Sequence, residues 1–147
     1  MPPIVEAMHA LPVKSVTLDG EGVVVEPRGV TDFNRLRTAL AGRDGARAVF
    51  LYGFDLLELD GHDLRREPWE IRRATLTGLL CKAGEGLRPS EHLGGTAGAT
   101  IFRHACALGL EGIIAKRRDR PYQSGRCSDW VKVKNPDAPA ATRVIEL

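Results

Sequence analysis

The sequence predicts an α+β fold, and three observations point there. Residues rich in β-branched and aromatic side chains gather toward both ends of the chain, with helix-period stretches between them, rather than in the regular strand–helix alternation of a parallel sheet. The 147 residues are 43% hydrophobic and 27% charged, enough apolar surface for one ordinary core. Asp60-Gly61, Pro68 and Gly109 mark where particular stretches begin or end.

Pro2 and Pro3 precede apolar Ile4, Val5, Met8 and Leu11, the pattern of a short helix with proline in its first turn, where the missing N–H has no intrahelical partner to lose. Residues 13–18 and 22–25 are β-rich and flank Asp19-Gly20-Glu21, which reads as a tight connection between two strands. Thr31 or Asp32 can cap a helix whose Phe33, Leu36 and Leu40 recur at helical spacing. Residues 48–59, the most apolar stretch, read as a buried strand ended by Asp60-Gly61. Pro68 opens a helix expected to turn Ile71, Leu76, Leu79 and Leu80 inward and Arg72 and Arg73 outward. Thr96 is placed to cap another through Ile101, Phe102, Ala105 and Leu108, with Gly109 ending it. Residues 112–116 and 129–134 read as the last strands, bracketing a basic loop that holds Pro121 and Gly125. Pro136 and Pro139 then break the pattern before Val144 and Ile145.

Composition narrows the function classes. No run approaches the roughly 18 apolar residues of a membrane span, and the N-terminus lacks a basic region followed by an apolar one. The expectation is a cytoplasmic protein without a membrane partner. Cys81, Cys106 and Cys127 are odd in number, far apart and without metal-site spacing, so they read as reduced thiols. The net charge of +2 is unevenly spread: residues 111–134 carry seven basic and three acidic side chains, a local charge of +4, and the rest of the chain sums to −2. A concentrated cationic segment suits nucleotide phosphate or a nucleic-acid backbone, with a solvated charged face as the alternative.

Chemistry concentrates in three segments. In Trp130-Val131-Lys132-Val133-Lys134, strand alternation places Lys132 and Lys134 on one face and sends Val131 and Val133 toward the core. Two ammonium groups side by side repel each other, and a bound phosphate would relieve that repulsion. Glu111-Gly112-Ile113-Ile114-Ala115-Lys116 has a carboxylate at one end, suited to a hard cation, and an ammonium at the other. An ordinary edge strand with charged ends is the competing reading. Tyr52-Gly53-Phe54-Asp55-Leu56-Leu57 offers aromatics that stack on a base or fill the core, and on its own core filling is favoured.

Taken in order, these segments resemble the third, fourth and fifth nucleotidyltransferase motifs of ATP-dependent DNA ligases. Leu18-Asp19-Gly20-Glu21 is similar to the family's segment between its first and third motifs, and Tyr122-Gln123-Ser124-Gly125-Arg126 to the loop before the fifth. Leu59-Asp60-Gly61 and Asp63-Leu64-Arg65-Arg66-Glu67-Pro68 bring the likeness nearest to bacterial end-joining ligase domains, and it extends over residues 3–143. The resemblance implies a partial nucleotidyltransferase (ATP-grasp-like) adenylation domain spanning residues 1–147, with antiparallel β-sheets and flanking helices. It implies ATP with Mg2+ (or Mn2+) as cofactors, nicked or broken double-stranded DNA as partner, end-joining proteins as possible associates, and work at the nucleoid in repair and recombination. By the same resemblance Glu21 contacts the ribose, Phe54 stacks on adenine, Glu111 helps hold the metal, and Lys132 and Lys134 serve the α-phosphate as catalytic and binding groups. Lys116 is implied to approach nucleotide or DNA.

One departure carries equal weight. The family's first motif, Lys-x-Asp-Gly followed by arginine, supplies the lysine that becomes lysyl-AMP, and no Lys-x-Asp-Gly occurs here. Lys14 is the only lysine before Lys82, and it directly precedes the segment similar to the later family region. An in-line nucleophile must be aimed and desolvated, so an unrelated lysine does not replace it. The sequence also stops shortly after the fifth motif, short of the family's oligonucleotide-binding domain and sixth motif. The expectation is a ligase fragment without self-adenylation. A degenerate nucleotide- or DNA-binding module and an RNA ligase or capping-type nucleotidyltransferase are the alternatives.

Overall fold

The computed structural model describes residues 2–24, 33–42, 45–95 and 97–138. The chain forms two compact units, Met1–Ser90 with Arg118–Tyr122, and Glu91–Arg117 with Gln123–Leu147. Among the described residues no helix is long and apolar enough to cross a membrane. Cys81, Cys106 and Cys127 carry free thiols, as expected.

The first unit is built around one long strand. Helix α1 (Pro2–His9) and strand β1 (Val16–Val23) precede helix α2 (Phe33–Ala41), a short 3₁₀ turn (Gly45–Ala48) and strand β2 (Phe50–Leu59). A two-residue strand β3 (His62–Asp63), helix α3 (Trp69–Leu80) and strand β4 (Leu87–Pro89) complete it. β2 is central: β1 runs antiparallel along its length, β3 pairs antiparallel with its C-terminal end, and β4 pairs parallel with its start. The β2–β3 turn is Asp60-Gly61, with φ of 50° and 85°, the two-residue hairpin chemistry that the Asp-Gly pair predicts. Ala7, Leu11, Leu56, Leu76, Leu80 and Leu87 form the core between α1, α3 and the sheet. The two caps expected for α2, Thr31 and Asp32, and the tail residues Val144 and Ile145 lie outside the described residues.

Asp19-Gly20-Glu21 is not a turn. It lies inside β1, which joins both β-rich runs into one strand, while Val25 lies outside the described residues. The glycine answers a different need: a Cβ at Gly20 would stand 2.6 Å from the Tyr52 carbonyl oxygen, so the close backbone approach excludes any side chain. The register steps at this point, from Gly20 opposite Gly53 to Asp19 opposite Asp55, and steps again between Thr17 and Leu18. Phe54 and Leu57 are therefore the extra residues of two β-bulges, which bend the strand and redirect side chains.

Helix α3 reverses part of its expected orientation. Leu76 and Leu80 face the core as predicted, but Arg72 and Arg73 are 0% and 6% exposed, whereas Ile71 is 50% exposed. The buried stripe is Trp69, Arg72, Arg73, Leu76 and Leu80, a continuous helical face. Phasing by apolarity alone put Ile71 on that face, and the geometry of 3.6 residues per turn does not. The two arginines stay buried because the sheet supplies the Asp55 carboxylate and the Gly53 carbonyl, and the flanking segments supply the carbonyls of Glu67 and Arg120.

The second unit contains helix α4 (Gly98–Ala107) and an antiparallel pair, β5 (Gly112–Lys116) and β6 (Trp130–Lys134). Ala97 occupies the N-cap position of α4, and Thr96 lies outside the described residues. Gly109, at φ 71°, closes the helix as expected. Leu108 does not face inward: the helix ends one residue before it and leaves it 70% exposed. Val131 and Val133, expected in the core, are 52% and 37% exposed, because β5 and β6 form a sheet of only two strands among the described residues.

The inverted phase of α3 gives a direct contrast between neighbours. Arg72→Ala should cost about 3–5 kcal/mol by leaving a buried charge alone, whereas Ile71→Ala should cost less than about 0.5 kcal/mol. Denaturant unfolding of the two variants checks the order, and an equal or larger loss from Ile71→Ala would contradict the assigned face.

Candidate functional site

In the first unit the residues of interest surround the Phe54 bulge. Glu21 is exposed on β1 and stands opposite Tyr52. Phe54 is partly buried on β2, and the ring of Tyr52 meets Phe50 edge to face at 5.0 Å. Beside the bulge, Asp19 and Asp55 lie directly opposite each other, an arrangement of like charges that costs energy unless each carboxylate is answered. Arg72 answers Asp55: its Nε and Nη2 donate to the two carboxylate oxygens at 2.7 and 2.9 Å, the bidentate fork available to arginine alone. Asp55 Oδ1 also accepts the Leu56 N–H at 2.9 Å. Tyr122 answers Asp19, its O–H donating to Oδ2 at 3.0 Å, and the Arg72 guanidinium lies 5.8 Å from the Tyr122 ring centre.

The same helix end holds the returning segment Arg118–Tyr122. Arg72 Nη1 donates to the carbonyls of Glu67, at 2.5 Å, and Arg120, at 3.3 Å. The N–H groups of Trp69 and Glu70, orphan donors of the first helical turn, donate to the carbonyls of Arg120 and Arg118 at 2.9 and 3.2 Å. Tyr122 N–H donates to the Arg65 carbonyl at 2.7 Å. Arg73 turns the other way, donating through Nη1 to Ser90 Oγ at 3.1 Å and to the Gly53 carbonyl at 3.4 Å. Its Nε is buried without a hydrogen-bond partner among the described residues. Burial lowers the Arg73 pKa from its ordinary value, and the charge of Asp55 opposes that shift.

In the second unit the β5–β6 register places Gly112, Ile114 and Lys116 opposite Lys134, Lys132 and Trp130. Lys116, Lys132 and Lys134 therefore share one face with Ile114 and Trp130. This agrees with the shared face read from alternation and adds Lys116 to it. Lys116 Nζ sits 3.8 Å from the centre of the Trp130 ring, so the indole face draws this ammonium. Lys132, Lys134 and Glu111 have exposed side chains. The Glu111 carbonyl, at the start of the hairpin, accepts the Asn135 N–H at 2.8 Å. Among the described residues no three His, Cys, Asp or Glu side chains gather as a metal site, so a cation held by Glu111 would take its other ligands from elsewhere, such as nucleotide oxygens and water.

Sequence reasoning named Asp55 and Tyr122 only as parts of motifs, and it missed Asn135. Asn135 is 2% exposed and fastens the end of β6, donating through Nδ2 to the Leu110 carbonyl at 2.9 Å. A signal for Asp55 was available: an acid inside the most apolar stretch of the chain requires a buried cation, and two adjacent arginines lay on the next helix.

Three comparisons bear on this arrangement. The family model for the ATP dependent DNA ligase domain matches residues 1–134. The multifunctional non-homologous end joining protein LigD of Pseudomonas aeruginosa is 38% identical over 135 residues, covering 91% of this chain and 16% of that protein. A probable DNA ligase of Sorangium cellulosum is 41% identical, covering 91% of the chain and 26% of that protein. The chain thus spans about a sixth to a quarter of these curated relatives. The crystal structure of the ligase domain from M. tuberculosis LigD matches with a TM-score of 0.69 at 42% identity, over 81% of this chain and 38% of that one. A mycobacterial DNA ligase D complexed with ATP and MES matches equally well.

Tyr122 sets a pH dependence with a definite sign. Burial first, then the hydrogen bond to Asp19 and that carboxylate's charge, raise the phenol pKa above its ordinary value. A raised folded-state pKa means that the stabilisation is complete below the unfolded value near pH 10 and is lost as pH rises through the folded one. Between about pH 9 and about pH 11, wild-type stability should fall more steeply than that of Tyr122→Phe. Parallel denaturation curves for the two proteins would remove this assignment.

Proposed function

Because this chain belongs to the ATP-dependent DNA ligase domain family, we propose that it is part of an adenylation domain whose complete enzyme seals breaks in double-stranded DNA using ATP. The observation that carries the reading is the single lysine-bearing face of β5–β6, in a chain whose family model spans both strands. Three ammonium groups on one face repel one another, and a polyanion relieves that repulsion. In this reading Phe54 stacks on adenine from its bulge and Glu21 hydrogen-bonds the ribose. Lys132 and Lys134 meet the α-phosphate and the charge that develops on it during adenylate transfer. Lys116, held over Trp130, serves nucleotide or DNA phosphate, and Glu111 is a ligand for Mg2+ or Mn2+. Identity to LigD relatives supports placing the activity in end-joining repair; work at the nucleoid beside end-joining proteins would follow from that role.

The 147-residue chain contains no Lys-x-Asp-Gly, so by itself it should not form a covalent adenylate. Incubation with labelled ATP and Mg2+ should leave it unlabelled, and an alkali-stable, acid-labile AMP adduct, the signature of a lysyl phosphoramidate, would contradict this. Phe54→Ala should weaken ATP binding by about 1–3 kcal/mol, the range for base stacking on a protein aromatic. Titration calorimetry that finds unchanged affinity would remove Phe54 from the site.

The lysine pair separates a phosphate site from a basic surface. Lys132→Met and Lys134→Met keep the stem's packing and delete the charge, so each should reduce the thermal stabilisation by ATP. On a plain solvated face the same changes relieve repulsion and leave stability equal or higher by a few tenths of a kcal/mol. The chain extended at its N-terminus by a segment carrying the family's Lys-x-Asp-Gly motif supplies the catalytic test. Normal AMP transfer and normal ATP stabilisation in both variants would overturn the assignment.

A further inference from the structure

The nucleotide reading leaves the two most completely buried charges among the described residues without a task. Asp55 and Arg72 are both 0% exposed. Such a pair is a weak contributor to net stability, since desolvation offsets much of the attraction, and hydrophobic replacements often serve a core as well. Its location suggests another use. Asp55 directly follows Phe54, the extra residue of the bulge, and the next amide, that of Leu56, is held by the Asp55 carboxylate. On the opposing strand Asp19 marks the same register step and is held by Tyr122. The bulge is thus gripped on both strands, by Arg72 from the helix and by Tyr122 from the returning segment, and Arg72 also holds that segment through the Arg120 carbonyl.

We infer that Asp55, Arg72 and Tyr122 are positioning residues that fix the β2 bulge and with it the direction of the Phe54 ring. The inference rests on the reading of Phe54 as the base-stacking residue. A bulge is the part of a ladder least determined by its own backbone hydrogen bonds, so a side chain presented from one needs an external constraint. Here the constraint is a guanidinium fork with four contacts, two to the carboxylate of the residue that follows Phe54 and two to carbonyls that lie outside the sheet. Arginine rather than lysine is required, because an ammonium matches the charge but not the fork. The phenol of Tyr122 fastens the second strand without adding a charge.

The experiment compares wild type with Arg72→Lys, which keeps a cation beside Asp55, and Tyr122→Phe, which keeps the ring and deletes one hydroxyl. Amide exchange is measured with and without ATP and Mg2+. Exchange at Leu56 and at residue 122 should accelerate by about tenfold in both variants while the core amides of α1 and α3 stay unchanged. ATP affinity should fall in both variants, and adding Phe54→Ala to either should then weaken binding little further, because the ring is already misdirected. Uniform acceleration across the unit, or none at Leu56, would reduce the cluster to general stability and overturn the inference. An ATP affinity equal in all three proteins overturns it alone. A wild-type chain that does not respond to ATP overturns the nucleotide reading and this inference with it.

Discussion

The first unit depends on the ion pair between Asp55 and Arg72. Placing both charges where water does not reach costs several kcal/mol per ion, and the geometry must recover that through the fork and the remaining donors. Both carboxylate oxygens and the Nε, Nη1 and Nη2 of the guanidinium have partners. The pair sets the rotation of α3, since the stripe that buries Leu76 and Leu80 must also bring Arg72 over the strand. It answers one of two opposed carboxylates on β1 and β2, and it binds Arg118–Tyr122 to a unit from which that segment is distant in sequence. A one-residue shift of β2 relative to the helix would leave Asp55 without its cation, so the pair selects the register as well as the packing.

The second unit uses charge in the opposite way. On the β5–β6 hairpin the lysines are kept at the surface, two of them exposed, and only Lys116 has an aromatic face beneath it. Asn135, nearly fully buried, ties the hairpin's end to Leu110, so the strand carrying Lys132 and Lys134 is anchored by an uncharged amide. This divides the labour: neutral hydrogen bonds hold the backbone, while the like charges on one face remain available to an anion.

Much of the fold was legible from local chemistry. Prolines at the starts of α1 and α3, the Asp60-Gly61 stop after β2, Gly109 at the end of α4 and the alternation in β6 all act through backbone geometry within a few residues. The ordered motifs, and so the family, were legible for a related reason: segments of the family's residue types follow one another along the chain in the family's order. The sequence by itself also determined that Lys132 and Lys134 share a face, because strand periodicity needs no partner.

Only the tertiary structure decided which side chains the core accepts. Apolarity placed Ile71 inside and Arg72 outside, and the reverse holds because the burial of a charge depends on a carboxylate 17 residues away in sequence, at the one register that presents it. Gly20 reads as a turn residue until the approach of the Tyr52 carbonyl shows that it clears space for a neighbouring strand. Val131 and Val133 alternate like core residues, yet their exposure is set by what covers the hairpin, which alternation does not encode. Local sequence specifies backbone geometry through short-range sterics. Burial and ion pairing are set by distant partners, so their outcome was decided only where the strands and α3 come together.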